Sequence, residues 1–85
     1  MKTFNDLKVG DYFYELDRDI GTLYRNKITG IDISGEEKVF IWIDNNDSKG
    51  STFIPFTKTN KSVYMCTFII VCATAEDVVN VLCNS

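Results

Sequence analysis

Apolar and polar residues alternate with a period of two along most of the chain, which is typical of β-strands with one covered face. Loops rich in Asn, Asp, Ser and Gly separate the alternating stretches. We interpret five stretches as strands, spanning about Asp11 to Leu16, Gly21 to Ile33, Lys38 to Asp44, Thr52 to Thr57 and Val63 to Ala73, and the stretch from about Thr74 to Cys83 as a helix. The pattern predicts a mainly β domain with one C-terminal helix, and this single domain covers residues 1–85.

The second strand changes the parity of its apolar positions at Gly30. Ile28 lies on one face before this glycine, whereas Ile31 and Ile33 have the opposite parity after it. A parity change at a glycine predicts a β-bulge or a sharp bend, and small barrels use such bends to turn a strand from one sheet into the next. We therefore expect an open barrel or a strongly bent antiparallel sheet of about five strands.

The run from Val63 to Ala73 is apolar on both faces, so we expect it to be the central strand of the core. Thr74 is expected to cap the helix, because Asp77 follows it at capping-box spacing. Pro55 has no N–H to donate, which places the Thr52 to Thr57 strand at a sheet edge. The predicted core consists of Tyr14, Ile28, Ile31, Ile41, Ile43, Phe68, Ile70, Val79 and Leu82.

Both ends of the chain carry a resemblance to a known group. Leu7–Tyr14, Gly21–Leu23 and Ile28–Ile31 resemble the opening of small SH3-like barrel proteins, which are frequent in phages and mobile elements. Phe68–Val71 and Thr74–Val78 resemble the closing strand and helix of the same group. The resemblance implies an SH3-like open barrel and an accessory role in a phage or mobile element. Its motifs are structural, so they carry over no functional residue.

Composition narrows the classes of function. The net charge is −3 and the three cysteines, Cys66, Cys72 and Cys83, lie in apolar segments. An acidic balance disfavours nonspecific binding to nucleic acid and to anionic membranes. The N-terminal residues lack the apolar core of a signal peptide, and an odd number of buried cysteines is typical of a reducing compartment. We therefore expect a cytoplasmic protein with no membrane partner.

The residues that carry chemistry are sparse. The sequence contains no histidine, which removes the commonest general base. No two of the three cysteines have C-x-x-C spacing. The loop from Asp44 to Gly50 lacks the glycine that a calcium loop has at its sixth position. The glycines are scattered singly and form no phosphate-binding loop. We expect no catalytic, metal or cofactor site, and hence no enzyme.

Binding is the class that remains, and we expect a non-enzymatic protein-interaction module. The first strand has no proline, so we predict that it forms the free edge opposite Pro55. Its residues Tyr12, Phe13 and Tyr14 form the expected interaction face, for another protein or for a homodimer. The alternative is a single-stranded nucleic-acid-binding barrel that uses Tyr24, Arg25, Lys27 and Trp42. A third hypothesis, an acidic mimic of nucleic acid, uses Asp17, Asp19, Asp32, Glu36, Glu37, Asp44 and Asp47.

Overall fold

The computed structural model describes residues 1–84 as one curled antiparallel sheet with a C-terminal helix. The strands are β1 (Tyr12–Asp17), β2 (Thr22–Ser34), β3 (Glu37–Asp44), β4 (Lys49–Pro55), β5 (Val63–Cys66) and β6 (Ile69–Cys72), and the helix is α1 (Ala75–Cys83). The order across the sheet is β4-β3-β2-β1-β6-β5. The sheet curls into a half-barrel, which confirms the predicted fold class with six strands instead of five.

A β-bulge bends β2 where the parity of its apolar residues changes. Ile28 pairs with Trp42 and Gly30 pairs with Ile41, so Thr29 is the extra residue between them. The Thr29 hydroxyl donates to the Ile41 carbonyl at 3.3 Å. The bend predicted at Gly30 is confirmed, and it lets this long strand follow the curl of the sheet.

The main core lies on the concave face of the sheet. Phe13 and Phe40 meet there with ring centroids 5.7 Å apart. A short 3₁₀ turn, Phe4–Asp6, closes this face from the N-terminal side, and its Phe4 N–H donates to the Lys61 carbonyl at 2.9 Å. The buried members of this core are Phe4, Leu7, Phe13, Ile28, Phe40, Ile54, Val71 and Ala73.

A second, smaller core lies on the convex face, where α1 packs on β6 and β1. Ile70, Cys72 and Val78 are buried there. Tyr14, Leu16 and Val81 pack against them and are partly buried. The contacts of the helix with the sheet are concentrated on β1 and β6, so among residues 1–84 the helix leaves most of the convex face of β2, β3 and β4 uncovered.

The prediction of one central strand from Val63 to Ala73 is wrong in its first half. This run forms a hairpin, because Thr67 adopts a left-handed φ of 51° and turns the chain between β5 and β6. Strand β6 lies inside the sheet and is covered on both faces, as expected, whereas β5 is an edge strand. Pro55 does lie on an edge strand, β4, as predicted.

The predicted core is correct at Ile28 and Ile70 and only partly correct at Tyr14 and Ile43, which are half-buried. The remaining predicted core residues are exposed on the surface: Ile31, Ile41, Phe68, Val79 and Leu82. The causes differ. Ile41 lies on the convex face of the sheet, which α1 covers only at its β6 end. Val79 and Leu82 are on the helix itself, Phe68 lies in the turn between β5 and β6, and Ile31 pairs with Phe40 at the outer end of β2.

Candidate interaction surface

An aliphatic row crosses the convex face near the turn between β1 and β2. The register places Leu23 beside Leu16 and Leu16 beside Ile70. Ile70 in turn lies beside Met65 of the edge strand β5. Side chains directly opposite each other on one face are in contact range, so these four form one apolar strip. The two ends of the row, Leu23 and Met65, are 44% and 56% exposed.

Helix α1 covers the middle of the aliphatic row and leaves an open groove beside it. The Thr74 hydroxyl accepts the Asp77 N–H at 3.2 Å, which fixes the start of the helix at Ala75. Val78 and Val81 then pack toward β6 and β1. The open groove beside the last helical turn has a volume of about 690 Å³. This end groove is lined by Leu16, Asp17, Arg18, Gly21, Met65, Ile70, Val81, Leu82 and Asn84.

Arg18 ties the two hairpin turns together at the mouth of the end groove. Its N–H donates to the Phe68 carbonyl at 3.0 Å, and its Nη1 lies 3.8 Å from the Met65 sulfur. The neighbouring Asp17 carboxylate accepts two backbone N–H groups of its own turn. The groove therefore has an aliphatic floor with a guanidinium group at its rim.

The predicted interaction face on β1 does not form an edge. Strand β1 lies between β2 and β6 and is hydrogen-bonded on both sides. Phe13 is 0% exposed in the concave core, whereas Tyr12 and Tyr14 point to the convex face. Strand β1 is therefore not the free edge that was predicted, whereas a homodimer through the aromatic face beside it stays a prediction. The physical reason is that β6, more than fifty residues later in the sequence, pairs with the side of β1 that was expected to be free. The spacing of the residues in the sequence does not indicate this pairing.

The four residues of the predicted nucleic-acid face lie on opposite faces of the sheet. Trp42 points into the concave side, and Tyr24 shares that side through its pairing with Glu15. Arg25 and Lys27 point to the convex side instead, because residues one apart in a strand alternate. The Arg25 guanidinium lies 4.6 Å from the centroid of the Tyr12 ring. The structure thus brings the two basic residues together with Tyr12 and separates them from Tyr24 and Trp42.

A polar network bridges the concave side between β1 and β4. Glu15 Oε1 accepts the Thr52 hydroxyl at 2.9 Å and the Asn26 amide at 2.5 Å. Thr52 in turn accepts the Trp42 indole N–H at 2.8 Å. Burial raises the pKa of Glu15, and the hydrogen bonds from Thr52 and Asn26 oppose this only in part. The Asn26 Oδ1 is buried with no donor within reach in the described part of the chain.

The cysteines show no paired or metal-binding arrangement. Cys66 and Cys83 are exposed and Cys72 is buried, and all three are free. Burial, with a smaller effect from Asp77, raises the pKa of Cys72 to about 11, so its thiol stays protonated. Within residues 1–84, no three His, Cys, Asp or Glu side chains converge to hold a metal ion. No helix in that range has the length and apolar character needed to span a membrane.

Sequence reasoning missed the aliphatic row and the end groove. A signal was present, because Leu16 and Leu23 flank one polar tip while Met65 and Ile70 flank a second short segment. The turn between β5 and β6 is hard to predict from the sequence, because Thr67 makes it in the left-handed conformation, which β-branched residues rarely adopt.

No protein-family model, curated protein or solved structure matches this chain.

Proposed function

We propose that this domain is a non-enzymatic protein-interaction module that binds a polypeptide partner through the end groove. The observation that carries the proposal is the aliphatic row, which continues past the edge of α1 to the exposed Leu23 and Met65. An apolar strip that runs from a buried core out into an open groove is typical of a binding site, whereas single exposed apolar residues are ordinary.

Covering the exposed apolar side chains at the end groove would contribute to the free energy of binding. Complete burial of a Leu or Met side chain contributes roughly 1.5–3 kcal/mol, so covering a half-exposed one contributes about 1 kcal/mol. Met65, the exposed end of the row that lines the groove, would contribute about 1 kcal/mol before backbone and polar contacts. An accessory role in a phage or mobile element is part of the proposal, and it is supported by the resemblance at both ends of the chain.

Photo-crosslinking tests this proposal. A photoreactive amino acid at position 65 should form one dominant adduct in extracts of the source organism, and the same group at position 53 should not. Phe53 is a matched control, because it is also an exposed side chain of an edge strand. With the crosslinked partner purified, Met65→Asp should weaken binding about ten-fold or more, whereas Phe53→Asp should change it less than about three-fold. Equal effects of the two substitutions would contradict the proposal.

A second candidate function uses the uncovered convex face of β2 and β3. Lys27 there lies in one cross-strand row with Tyr12 and Ile43, and Ile43 pairs in turn with Lys49. We propose, as the alternative, that this face binds single-stranded nucleic acid through Arg25, Lys27 and Lys49, with Tyr12 as a stacking platform. Asp44 and Asp47 line the same small pocket and oppose phosphate binding.

The salt dependence of binding separates the two candidates. Affinity for a fluorescent oligothymidine should fall steeply as salt rises if phosphates are bound, and the slope should decrease by about one for Lys27→Ala. An apolar end groove predicts a shallow salt dependence for the polypeptide partner and no effect of Lys27→Ala. If the oligothymidine does not bind at low salt, the alternative is excluded.

A further inference from the structure

Within the part of the chain that the structure describes, no strand pairs with the outer side of β5, so backbone hydrogen-bonding groups on that side lack a partner strand. The Ala73 N–H donates to the Ser62 carbonyl at 2.8 Å, and the register pairs Val63 with Cys72 and Met65 with Ile70. Bonded and non-bonded pairs alternate along an antiparallel ladder. Since Ser62 and Ala73 are a bonded pair, Val63 and Met65 belong to non-bonded pairs. Their N–H and C=O groups therefore point away from β6, toward the open edge.

The side chains of these two residues lie on the convex face, next to the end groove. Met65 is both the last member of the aliphatic row and a lining residue of the groove. A strand added to this edge would place alternate side chains beside Val63 and Met65. Backbone pairing and apolar contact would then be made by the same short segment, which is how strand-addition sites combine affinity with specificity.

Charge is distributed unevenly along the sequence. Residues 48–75, which contain both edge strands, include Lys49, Lys58 and Lys61 and no acidic residue. The remainder has the other six basic residues and all twelve acidic ones, so its net charge is −6 against +3 for this segment. Lys61 precedes β5, and Arg18 lies at its other end through its contacts with Phe68 and Met65. The carboxylates beside them are engaged within the chain, since Asp77 accepts the Ser62 hydroxyl and Asp17 accepts two backbone N–H groups of its own turn.

This distribution distinguishes a foreign strand from a second copy of the chain. An antiparallel pair of β5 strands related by a two-fold axis would bring Lys61 of each copy toward Arg18 of the other. Like charges at both ends oppose that pairing. A strand with acidic residues at both ends would instead meet opposite charge at each end.

We propose that the partner binds as an extended strand that adds to the β5 edge, with alternate aliphatic side chains and acidic residues at both ends. This inference rests on the proposed function and specifies its ligand class. The outward N–H and C=O groups of Val63 and Met65 form the backbone contacts. The end groove receives the aliphatic side chain next to Met65, and Lys61 and Arg18 hold the acidic ends.

The opposite edge of the sheet provides a matched control. The Phe56 N–H donates to the Glu36 carbonyl at 3.0 Å, so the same alternation makes Ser51 an outward-facing residue of β4. Val63→Pro and Ser51→Pro each remove one outward N–H from an edge strand and leave the ladder within the sheet intact.

The probe is a synthetic nine-residue peptide in which Leu and Val alternate with Thr and two Asp residues stand at each end. Titration calorimetry should show binding to the parent protein, with affinity reduced about ten-fold by Val63→Pro and less than about two-fold by Ser51→Pro. A peptide with Lys in place of the Asp residues should bind more weakly. Hydrogen exchange at the Val63 and Met65 amides should slow when the peptide binds.

A second measurement needs no change in the protein. N-methylation of the peptide amides that face β5 should abolish binding, and methylation of the alternate amides should not, because only one set pairs with the edge. Equal loss from both sets would overturn the strand-addition proposal even if Val63→Pro failed to fold.

A helical amphipathic peptide of the same apolar content separates this inference from the proposed function. If it binds in a Met65-dependent manner and the strand peptide does not, the inference is wrong and the proposed function stands. If neither peptide binds, both are contradicted. A concentration-dependent dimer that Val63→Pro abolishes would overturn the acidic strand as the occupant in favour of a second copy.

Discussion

The two faces of the sheet carry similar apolar side chains but differ in how far those side chains are buried. On the concave face Phe13 and Phe40 are 0% exposed, because the N-terminal 3₁₀ turn, with its own buried Phe4, closes the half-barrel over them. On the convex face Phe53 and Met65 are 46% and 56% exposed. Composition does not distinguish these positions. The difference comes from which face has a covering element.

Under the proposed function, the concave face provides most of the stability and the convex margin provides the binding surface. The concave face has the larger buried cluster, so it should account for most of the unfolding free energy. The convex face has a smaller cluster under a helix of nine residues, and its apolar side chains continue beyond the helix. Substitutions on the concave face should therefore change folding, and those at the convex margin should change binding.

The largest expected effect is that of emptying the concave core. Phe13→Ala should lower the free energy of unfolding by about 3–5 kcal/mol, because it removes a fully buried ring and leaves a cavity. Phe53→Ala makes the same chemical change on the convex side and should cost less than about 1 kcal/mol. Urea denaturation monitored by circular dichroism measures both. Similar losses for the two variants would remove the distinction between the faces.

Much of the fold could be predicted because it follows from local signals. The β2 bulge was visible as a parity change at Gly30, and the helix start was visible in the spacing of Thr74 and Asp77. Pro55 marked an edge strand because the missing N–H limits where proline can lie. Each of these signals acts within a few residues of itself.

The surface could not be predicted because it depends on long-range pairing. The contact between β1 and β6, residues more than fifty positions apart, decides that β1 is interior and that β5 is an edge. The apolar pattern gave no information about which face α1 covers. Ile41 and Phe40 are adjacent and both apolar, yet one is 40% exposed and the other is fully buried.

Alanine substitutions at two glycines test the difference between the two faces, with an expected effect on stability that is smaller than that of Phe13→Ala. A Cβ on Gly50 would lie 2.6 Å from Cζ2 of Trp42 on the concave side, so the indole would have to move. Gly50→Ala should therefore lower the unfolding free energy by about 1–3 kcal/mol. A Cβ on Gly30 would lie 3.4 Å from Ile41 Cδ1 on the convex side, which is an ordinary contact.

Gly30→Ala is the matched control for this experiment. It should leave stability unchanged or raise it by about 0.5 kcal/mol, because alanine restricts the unfolded chain more than glycine does. Tryptophan fluorescence should shift for Gly50→Ala only, since Trp42 is the one tryptophan of the chain. A larger loss of stability for Gly30→Ala than for Gly50→Ala would contradict the packing described for the concave side.

The smallest expected effect concerns the charged residue within the concave polar network. Burial raises the pKa of Glu15, and the groups that face it are the Asn26 amide and the Thr52 hydroxyl. A carboxyl group whose pKa is higher in the folded chain binds its proton more tightly when folded. Its contribution to stability is complete below the unfolded value and is lost as the pH rises through the folded value.

Glu15→Gln keeps an acceptor for Asn26 and Thr52 and removes the ionisation. At about pH 7, where the unfolded Glu15 is ionised, the variant should be more stable than the parent by about 1 kcal/mol, comparable to one net hydrogen bond. At about pH 3, where the carboxyl is protonated in both states, the difference should shrink, because the parent no longer carries a buried charge. Urea denaturation at several pH values measures the difference between the two proteins, so the titration of other carboxylates cancels.

The exposed Glu36 is the control, and Glu36→Gln should change stability by less than about 0.5 kcal/mol. A variant that is less stable than the parent at about pH 7 would show that the charge itself holds β1 and β4 together.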